Sequence, residues 1–288
     1  MKNKLKAIRK QLLLCAVTTQ LWIVHSEATP TIESNVTTNN KMSESQVLAN
    51  YSGVIGTAPA GHTVSAAGVA LEQWPNATQT YAFFTQNLAN DVYYEVRAYG
   101  RYNYKSMNPV FSSVPVSNIN NPPGFGFTGI LGYNFHPSEF MDITPYVRMN
   151  YLDNMNVVYE DTNGNFINSQ GWTAMLGSKF SFKVVKGFTP FLNYYTGYQQ
   201  VNLSGNLTEG TTPNQVITAQ VEQIISVFEL GAAIKASQSI SFIPYFDYVT
   251  SANNPNATAA APDAQGGFNI SALTSTFQIV GVKMSMSW

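Results

Sequence analysis

A strictly alternating stretch, residues 91–104, constrains the fold of this chain more than any other feature. In its sequence, DVYYEVRAYGRYNY, one parity holds Glu95, Arg97 and Arg101, and the other is built from valine, alanine, glycine and tyrosine. A period of two residues predicts a β-strand, because successive side chains point to opposite faces. At roughly 3.3 Å per residue and a tilt of about 40°, such a strand rises about 30 Å, enough to cross an outer membrane.

We therefore interpret the apolar face of this strand as facing lipid and its charged face as pointing into the polar interior of a barrel. A long edge strand in a water-soluble all-β domain is the alternative. The rest of the chain favours the barrel, since no later segment approaches the twenty or so apolar residues that a helical membrane span needs. Only 11% of its residues are charged, fewer than a soluble β-sandwich usually places on its surface.

Residues 1–28 have the layout of a secretory signal peptide. Five basic residues precede an apolar run that begins at Leu12 and ends at Val24, and the only cysteine, Cys15, lies inside this run. The mature chain is therefore expected to form no disulfide bonds, which suits a closed sheet better than a small secreted scaffold. Cleavage after Ala28 leaves ten Lys and Arg against 15 Asp and Glu, and this acidic balance argues against nucleic acid as a partner.

Residues 29–90 show no clear period and are expected to be a mobile segment, a plug or an extra hairpin. From residue 91 onward the sequence repeats a unit of hairpin size, in which four Leu-Gly or Val-Gly steps have glycines 45, 54 and 50 residues apart. The glycines are Gly132, Gly177, Gly231 and Gly281. Short links at 136–142, 185–187 and 236–239 alternate with long polar stretches at 105–123, 160–170, 202–220 and 251–269.

This alternation predicts an all-β fold: a transmembrane antiparallel up-and-down barrel over residues 91–288, with short periplasmic turns and long extracellular loops. We expect eight strands, or ten if residues 29–90 add a hairpin. When the repeats are aligned with their leucines toward lipid, the glycines point inward and leave room for Tyr99, Tyr146, Phe191 and Tyr245.

The same alignment places most basic residues of the mature chain on the inward face. The predicted interior set is Glu95, Arg97, Arg101, Arg148, Lys179, Lys183, Asn193, Glu229, Lys235, Asp247 and Lys283. It has two interpretations. As a structural network it closes the interior, which is the preferred interpretation because eight strands enclose a space that side chains just fill. As a pore lining, its basic excess would favour small anions.

The chain ends in the alternating sequence VKMSMSW. Gly281, Met284, Met286 and Trp288 match the Gly-x-x-apolar-x-apolar signal with a terminal aromatic residue, and here the sequence resembles the small Gram-negative outer-membrane barrels of the OmpA/OmpW type. The resemblance extends over about residues 91–288 and includes the Thr-Pro-aromatic strand starts. It implies that the last strand is recognised by the barrel-assembly machinery. A terminal Trp in place of the commoner Phe departs from the pattern.

His136 and Ser138 offer the alternative of a barrel-embedded lipid or acyl hydrolase, because a nucleophilic serine needs a histidine base within hydrogen-bond reach. A proline lies between them and both fall in a predicted short turn, so catalysis is not expected. The triplet Gly124, Gly126 and Gly129 matches the dinucleotide fingerprint by letter only, since no helix pattern follows it. We expect no cofactor, and too few histidines remain for a metal site with several His ligands.

The sequence thus predicts a non-enzymatic protein of the cell outer membrane with envelope-structural and surface-exposed roles. It is expected to allow at most a narrow, porin-like passage of small solutes or ions. The expected partners are outer-membrane lipid and the assembly machinery, with small anionic solutes or a host surface ligand as further candidates.

Overall fold

The computed structural model describes residues 51–53, 60–75, 77–103, 123–153, 159–160, 166–207, 215–253 and 276–288. All of them belong to one compact unit, Met42–Trp288. The regular structure of these residues is entirely β-strand. Among them, none forms a helix with the length and hydrophobicity that crossing a bilayer requires.

The described strands follow one another in chain order. They are β1 (Val64–Gln73), β2 (Ala77–Asn87), β3 (Val92–Asn103), β4 (Gly124–Tyr133), β5 (Phe135–Ser138), β6 (Met141–Asp153), β7 (Tyr159–Glu160), β8 (Phe166–Phe182), β9 (Phe188–Leu207), β10 (Gln215–Lys235), β11 (Ile240–Asn253) and β12 (Thr276–Ser287). Every pairing between them is antiparallel.

Ten of these strands close into a barrel in which each pairs with its neighbours in sequence. The two short strands only extend the wall: β5 continues β4 along β6, and β7 lies along β8. The ring closes where β1 pairs with β12, from Ala66 opposite Ser287 to Gln73 opposite Val280. Because β6 also pairs with β8 along its whole length, the described wall has no open edge.

The expected count of eight strands is wrong, and the alternative of ten is the one found. The additional hairpin is β1 and β2, which lie within the segment whose structure the sequence left open. On β2 the larger apolar side chains, Tyr81 and Phe83, point inward and are buried, whereas Thr80 and Ala82 point outward. On β1, Val69 and Leu71 point outward, but the inner face carries Ala66 and Ala70, so neither strand of this hairpin shows the sharp contrast between an apolar and a polar face that identified the other strands.

Connections at the two ends of the barrel differ, except that β1 and β2 are joined closely at the long-loop end, where Trp74 N donates to Ala77 O at 2.9 Å. Tight turns join β2 to β3, β8 to β9 and β10 to β11, with backbone hydrogen bonds such as Ala236 N to Ile240 O at 2.9 Å. At the other end, three strands are longer than the sequence predicted and include residues that were assigned to long loops. β8 begins at Phe166, β9 ends at Leu207 and β10 begins at Gln215. The remaining residues of those loops lie outside the described part of the chain.

Repeat glycines allow aromatic rings of the neighbouring strand to lie flat against the inner wall. A Cβ added to Gly177 would lie 2.5 Å from Cζ of Tyr146, and one added to Gly231 would lie 2.5 Å from Cζ of Phe191. The inward direction predicted for these glycines is confirmed, and so are three of the four predicted rings, Tyr146, Phe191 and Tyr245. Tyr99 is the exception, because it is the register partner of Gly126 rather than of a repeat glycine.

The barrel interior as the candidate functional site

The two faces of the barrel wall have opposite character. Leucine and valine side chains of the repeats are exposed, with Leu176 at 68% and Val96 at 52%, whereas Lys179 on the inner face is only 1% exposed. A water-soluble protein places these residue types the other way round. The wall therefore separates an apolar exterior from an interior that holds charged groups.

Most of the residues predicted to face the interior do so. Glu95, Arg97, Arg101, Lys179, Asn193, Glu229, Asp247 and Lys283 are buried inside the barrel, and Arg148 is partly buried on the same face. They come from different strands around the ring, so only barrel closure brings them together. The structure separates Lys183 and Lys235 from this group, because both lie half-buried at the tight-turn end of the barrel.

An ion pair anchors the middle of the interior. Glu95 accepts hydrogen bonds from Nε of Arg97 and from the hydroxyl of Tyr93. The guanidinium of Arg148 donates to Oδ1 of Asn150 at 2.9 Å and to the hydroxyl of Tyr99 at 3.4 Å. These contacts fix the two arginines to the wall.

Other cations of the interior lie against aromatic rings. Nζ of Lys179 is 3.6 Å from the ring centre of Phe191, and Nζ of Lys283 is 4.7 Å from that of Tyr245. The ring face attracts a cation through its quadrupole. The repeat glycines contribute to this arrangement, since Gly231 and Gly281 are the positions against which these two rings pack.

The sequence predicted a polar interior, but part of the interior is apolar. Eight buried side chains from eight consecutive barrel strands form a continuous apolar cluster within it. They are Tyr93, Ile130, Tyr146, Met175, Tyr195, Val227, Val249 and Ile279. Packing of this kind fills the space that an aqueous pore would need.

Sequence reasoning missed Glu72, which lies in the unassigned hairpin. Its carboxylate accepts hydrogen bonds from Nε2 of Gln79 at 2.7 Å, from Nε1 of Trp74 at 3.1 Å and from the hydroxyl of Tyr245 at 2.5 Å. The guanidinium of Arg101 lies 4.3 Å from the ring centre of Trp74. The outward pair Val69 and Leu71 was the available signal, since it gives Glu72 inward parity on β1.

Residues 51–53, which we name the inner segment, lie inside the barrel at its tight-turn end. The carbonyl oxygen of Ser52 accepts a hydrogen bond from Oγ of Ser285 at 2.6 Å, and that of Tyr51 accepts one from Nζ of Lys235. The hydroxyl of Tyr51 is 3.4 Å from Oγ1 of Thr85. Burial raises the pKa of the Tyr51 hydroxyl, which therefore stays protonated. Of the three forms expected for residues 29–90, the extra hairpin is present as β1 and β2.

His136 lies between two carboxylates rather than beside a serine. Its Nδ1 is 2.7 Å from Oδ1 of Asp142 and its Nε2 is 3.5 Å from Oδ1 of Asp91, while Nζ of Lys183 also contacts Asp142 at 2.7 Å. The side chain of Ser138 is exposed at the end of β5. Both ring nitrogens therefore face acidic groups, and the cluster ties together neighbouring turns of the barrel.

The remaining motifs lie in regular strand. The glycine triplet at positions 124, 126 and 129 falls within β4, whereas a dinucleotide site needs such glycines in a loop that leads into a helix. In the C-terminal signal, Met284, Met286 and Trp288 face outward and Gly281 faces inward. Within the described ranges, no three His, Cys, Asp or Glu side chains are grouped so that they would hold a metal ion.

No protein-family model matches the sequence. A search of curated proteins finds no relative. Among solved structures, the outer membrane protease OmpT of Escherichia coli matches with 7% identity and a TM-score of 0.40, covering 79% of this chain and 95% of OmpT. The N-terminal β-barrel domain of Pseudomonas aeruginosa OprF matches with 8% identity and a TM-score of 0.26, covering 80% of this chain and 100% of that domain.

The Pseudomonas putida toluene transporter TodX matches with 8% identity and a TM-score of 0.33, covering 84% of this chain and 92% of TodX. Identities and TM-scores this low carry no function from these proteins to the chain. The resemblance to outer-membrane barrels is one of class, and it singles out no family within that class.

Proposed function

We propose that this protein is a non-enzymatic barrel of the bacterial outer membrane, which it crosses with ten strands. The observation that carries the proposal is the inverted wall, with exposed leucines and valines outside and buried ionisable side chains inside. In a hydrocarbon environment, exposed apolar side chains are favourable. Backbone N–H and C=O groups must be paired there, and a closed antiparallel barrel pairs them between neighbouring strands. The start of β1 and the end of β12 then lie on the periplasmic side with the tight turns.

The barrel's role is structural, with surface exposure through the long loops, rather than bulk transport. Its interior is filled by the apolar cluster, by the charged groups around Glu95 and by the inner segment. A cavity between the charged groups has about 10 Å³ open to the centre of a water molecule, room for roughly one water. Passage is therefore limited to very small solutes or ions.

Planar-bilayer recording tests this closed interior directly. We expect the purified mature protein to insert and to show no step conductance, or only steps far smaller than those of a general porin. If large steps appear and become less anion-selective when Arg97, Arg101 and Arg148 are neutralised, the pore interpretation replaces the closed one.

A lipid or acyl hydrolase built on His136 and Ser138 is the rival function. The geometry argues against it, because the imidazole nitrogens face Asp142 and Asp91 while Ser138 is exposed. We expect no hydrolysis of phospholipid or acyl esters by the purified protein. Hydrolysis that disappears in Ser138→Ala while the variant still folds would establish the enzyme.

The proposed partners follow from the location. Outer-membrane lipid contacts the apolar band, and the barrel-assembly machinery recognises the strand that ends at Trp288. A host surface ligand or small anionic solutes remain candidates for the long loops.

A further inference from the structure

We infer that the cavity in the middle of the barrel binds a small inorganic anion of halide size. Four cationic side chains line this cavity, against two carboxylates, those of Glu95 and Glu229. The cations are Arg97, Arg148, Lys179 and Lys283. The lining thus carries more positive than negative groups, and the lysines among them are buried.

One of the two carboxylates already has a cationic partner. Glu95 forms its ion pair with Arg97 and also accepts the hydroxyl of Tyr93. Glu229, the other carboxylate, has no cation within ion-pair distance in the part of the chain that the structure describes. Neither carboxylate therefore neutralises the two lysines by direct contact.

The two lysines are the groups that need a counter-charge. Lys179 is 1% exposed and Lys283 is 7% exposed. Their Nζ atoms contact the ring faces of Phe191 and Tyr245, and among the described residues neither ammonium has an ion-pair partner. A buried ammonium group loses its hydration, and a ring face replaces only part of that loss. An anion between the lysines would supply the missing contacts.

The size of the cavity restricts the ligand. With about 10 Å³ open to the centre of a water-sized sphere, it holds roughly one water molecule or one ion of similar size. Phosphate, sulfate and organic carboxylates are too large. Chloride, or bromide as its heavier analogue, fits this description, and a single water molecule is the competing occupant.

Crystals grown in sodium bromide test the site directly. We expect an anomalous-scattering peak beside Nζ of Lys179 in the native protein and none in Lys179→Met. A water molecule at that place in bromide-grown crystals, with no anomalous signal, would overturn the inference.

A second measurement follows thermal unfolding in detergent as chloride replaces gluconate at constant ionic strength. We expect the unfolding midpoint of the native protein to rise with chloride, and Lys179→Met to weaken the apparent chloride affinity about tenfold or more, since one charged contact is lost. Glu229→Gln should strengthen it, because a competing carboxylate is removed. Lys186→Met, at an exposed turn position, is the matched control and should behave as the native protein does.

The opposite signs expected at Lys179 and Glu229 separate binding from a general loss of structure, which would lower the midpoint in both variants without regard to chloride. Equal chloride dependence in all four proteins contradicts the site. Because this assay uses micelles and involves no membrane crossing, its failure is distinct from a failure of the closed outer-membrane barrel, which bilayer recording detects.

Discussion

The phenol ring of Tyr146 packs directly against Gly177 on the neighbouring strand, where the two residues are register partners. From this position the Tyr146 hydroxyl donates a hydrogen bond to Oδ1 of Asn193 at 2.9 Å. The same relation recurs between Phe191 and Gly231 and between Tyr245 and Gly281. A ring laid across a glycine therefore links consecutive hairpins and brings the interior side chains close together.

Gly177→Val is expected to destabilise the barrel by about 1 to 3 kcal/mol, because the new side chain overlaps the Tyr146 ring and forces it out of place. Urea unfolding in detergent micelles or lipid vesicles, followed by tryptophan fluorescence, measures the change. Gly129→Val is the matched control, since a Cβ at that outward position meets nothing within 4 Å. Equal losses in both variants would mean that the ring does not depend on the glycine.

Val96→Arg is expected to destabilise by about 2 to 4 kcal/mol if this exposed residue of β3 faces the middle of the bilayer. The cost arises because lipid cannot solvate the guanidinium. Refolding equilibria in lipid vesicles give the free energy of unfolding of the variant and of the native protein. Tyr102→Arg, near the end of the same strand, serves as control and should cost about 0 to 1 kcal/mol, as is usual near the membrane interface. No cost at Val96 would mean that the faces are reversed.

Asp142→Ala is expected to lower the free energy of unfolding by about 1 to 3 kcal/mol, because the buried carboxylate receives both Lys183 and His136. Removing it leaves two donors without their acceptor. Glu139→Ala, an exposed acidic residue of the same turn, should change stability by less than about 0.5 kcal/mol. An unchanged free energy of unfolding in Asp142→Ala would show that the cluster does not stabilise the turn.

Gly53→Val is expected to expel the inner segment from the barrel. Gly53 has a φ of 72°, and a Cβ there would lie 2.8 Å from Cβ of Ala66, so both backbone and space oppose a side chain. The rate at which Ser52→Cys reacts with a water-soluble maleimide reports the displacement. We expect slow labelling in the single variant Ser52→Cys and fast labelling in the double variant that also carries Gly53→Val.

The matched control for this prediction is Gly61→Val, which has a similar φ of 75° but no atom within 4 Å of the added Cβ. It imposes the same kind of backbone strain without a clash inside the barrel. Fast labelling of Ser52→Cys in the otherwise native protein would contradict the buried position of the inner segment.

Period-two alternation was enough to predict the barrel from β3 onward, together with the inward direction of Glu95, Arg97 and the repeat glycines. It failed at β1 and β2, because the two faces of each strand differ too little: β2 has rings inside with Thr80 and Ala82 outside, and β1 has alanines on the face opposite Val69 and Leu71. The strand count and Glu72 were missed together for that reason. Tyr146 and Ile130 show a related limit, since a pattern gives the face of a side chain but not which inward residues pack into an apolar cluster.

The positions of Lys183 and Lys235 depend on height along the barrel axis, which parity does not encode. Both have inward parity, yet each lies at the tight-turn end, where Asp142 and the backbone carbonyl of Tyr51 accept their hydrogen bonds. The contact with Tyr51 joins residues 184 apart in the chain. No local sequence pattern predicts a contact between residues so far apart in the chain.

The inverted wall is tested most directly by spin labels on its two faces, at Val96 and Arg97 of β3 and at Leu176 of β8. The mature chain is expected to lack cysteine, so Val96→Cys and Leu176→Cys can each be labelled alone, with Arg97→Cys as the inward comparison. In vesicles, we predict that the labels at 96 and 176 collide readily with dissolved oxygen and hardly with a water-soluble nickel complex. Frequent collisions with the nickel complex at both outward positions would contradict a barrel whose apolar face lies in lipid.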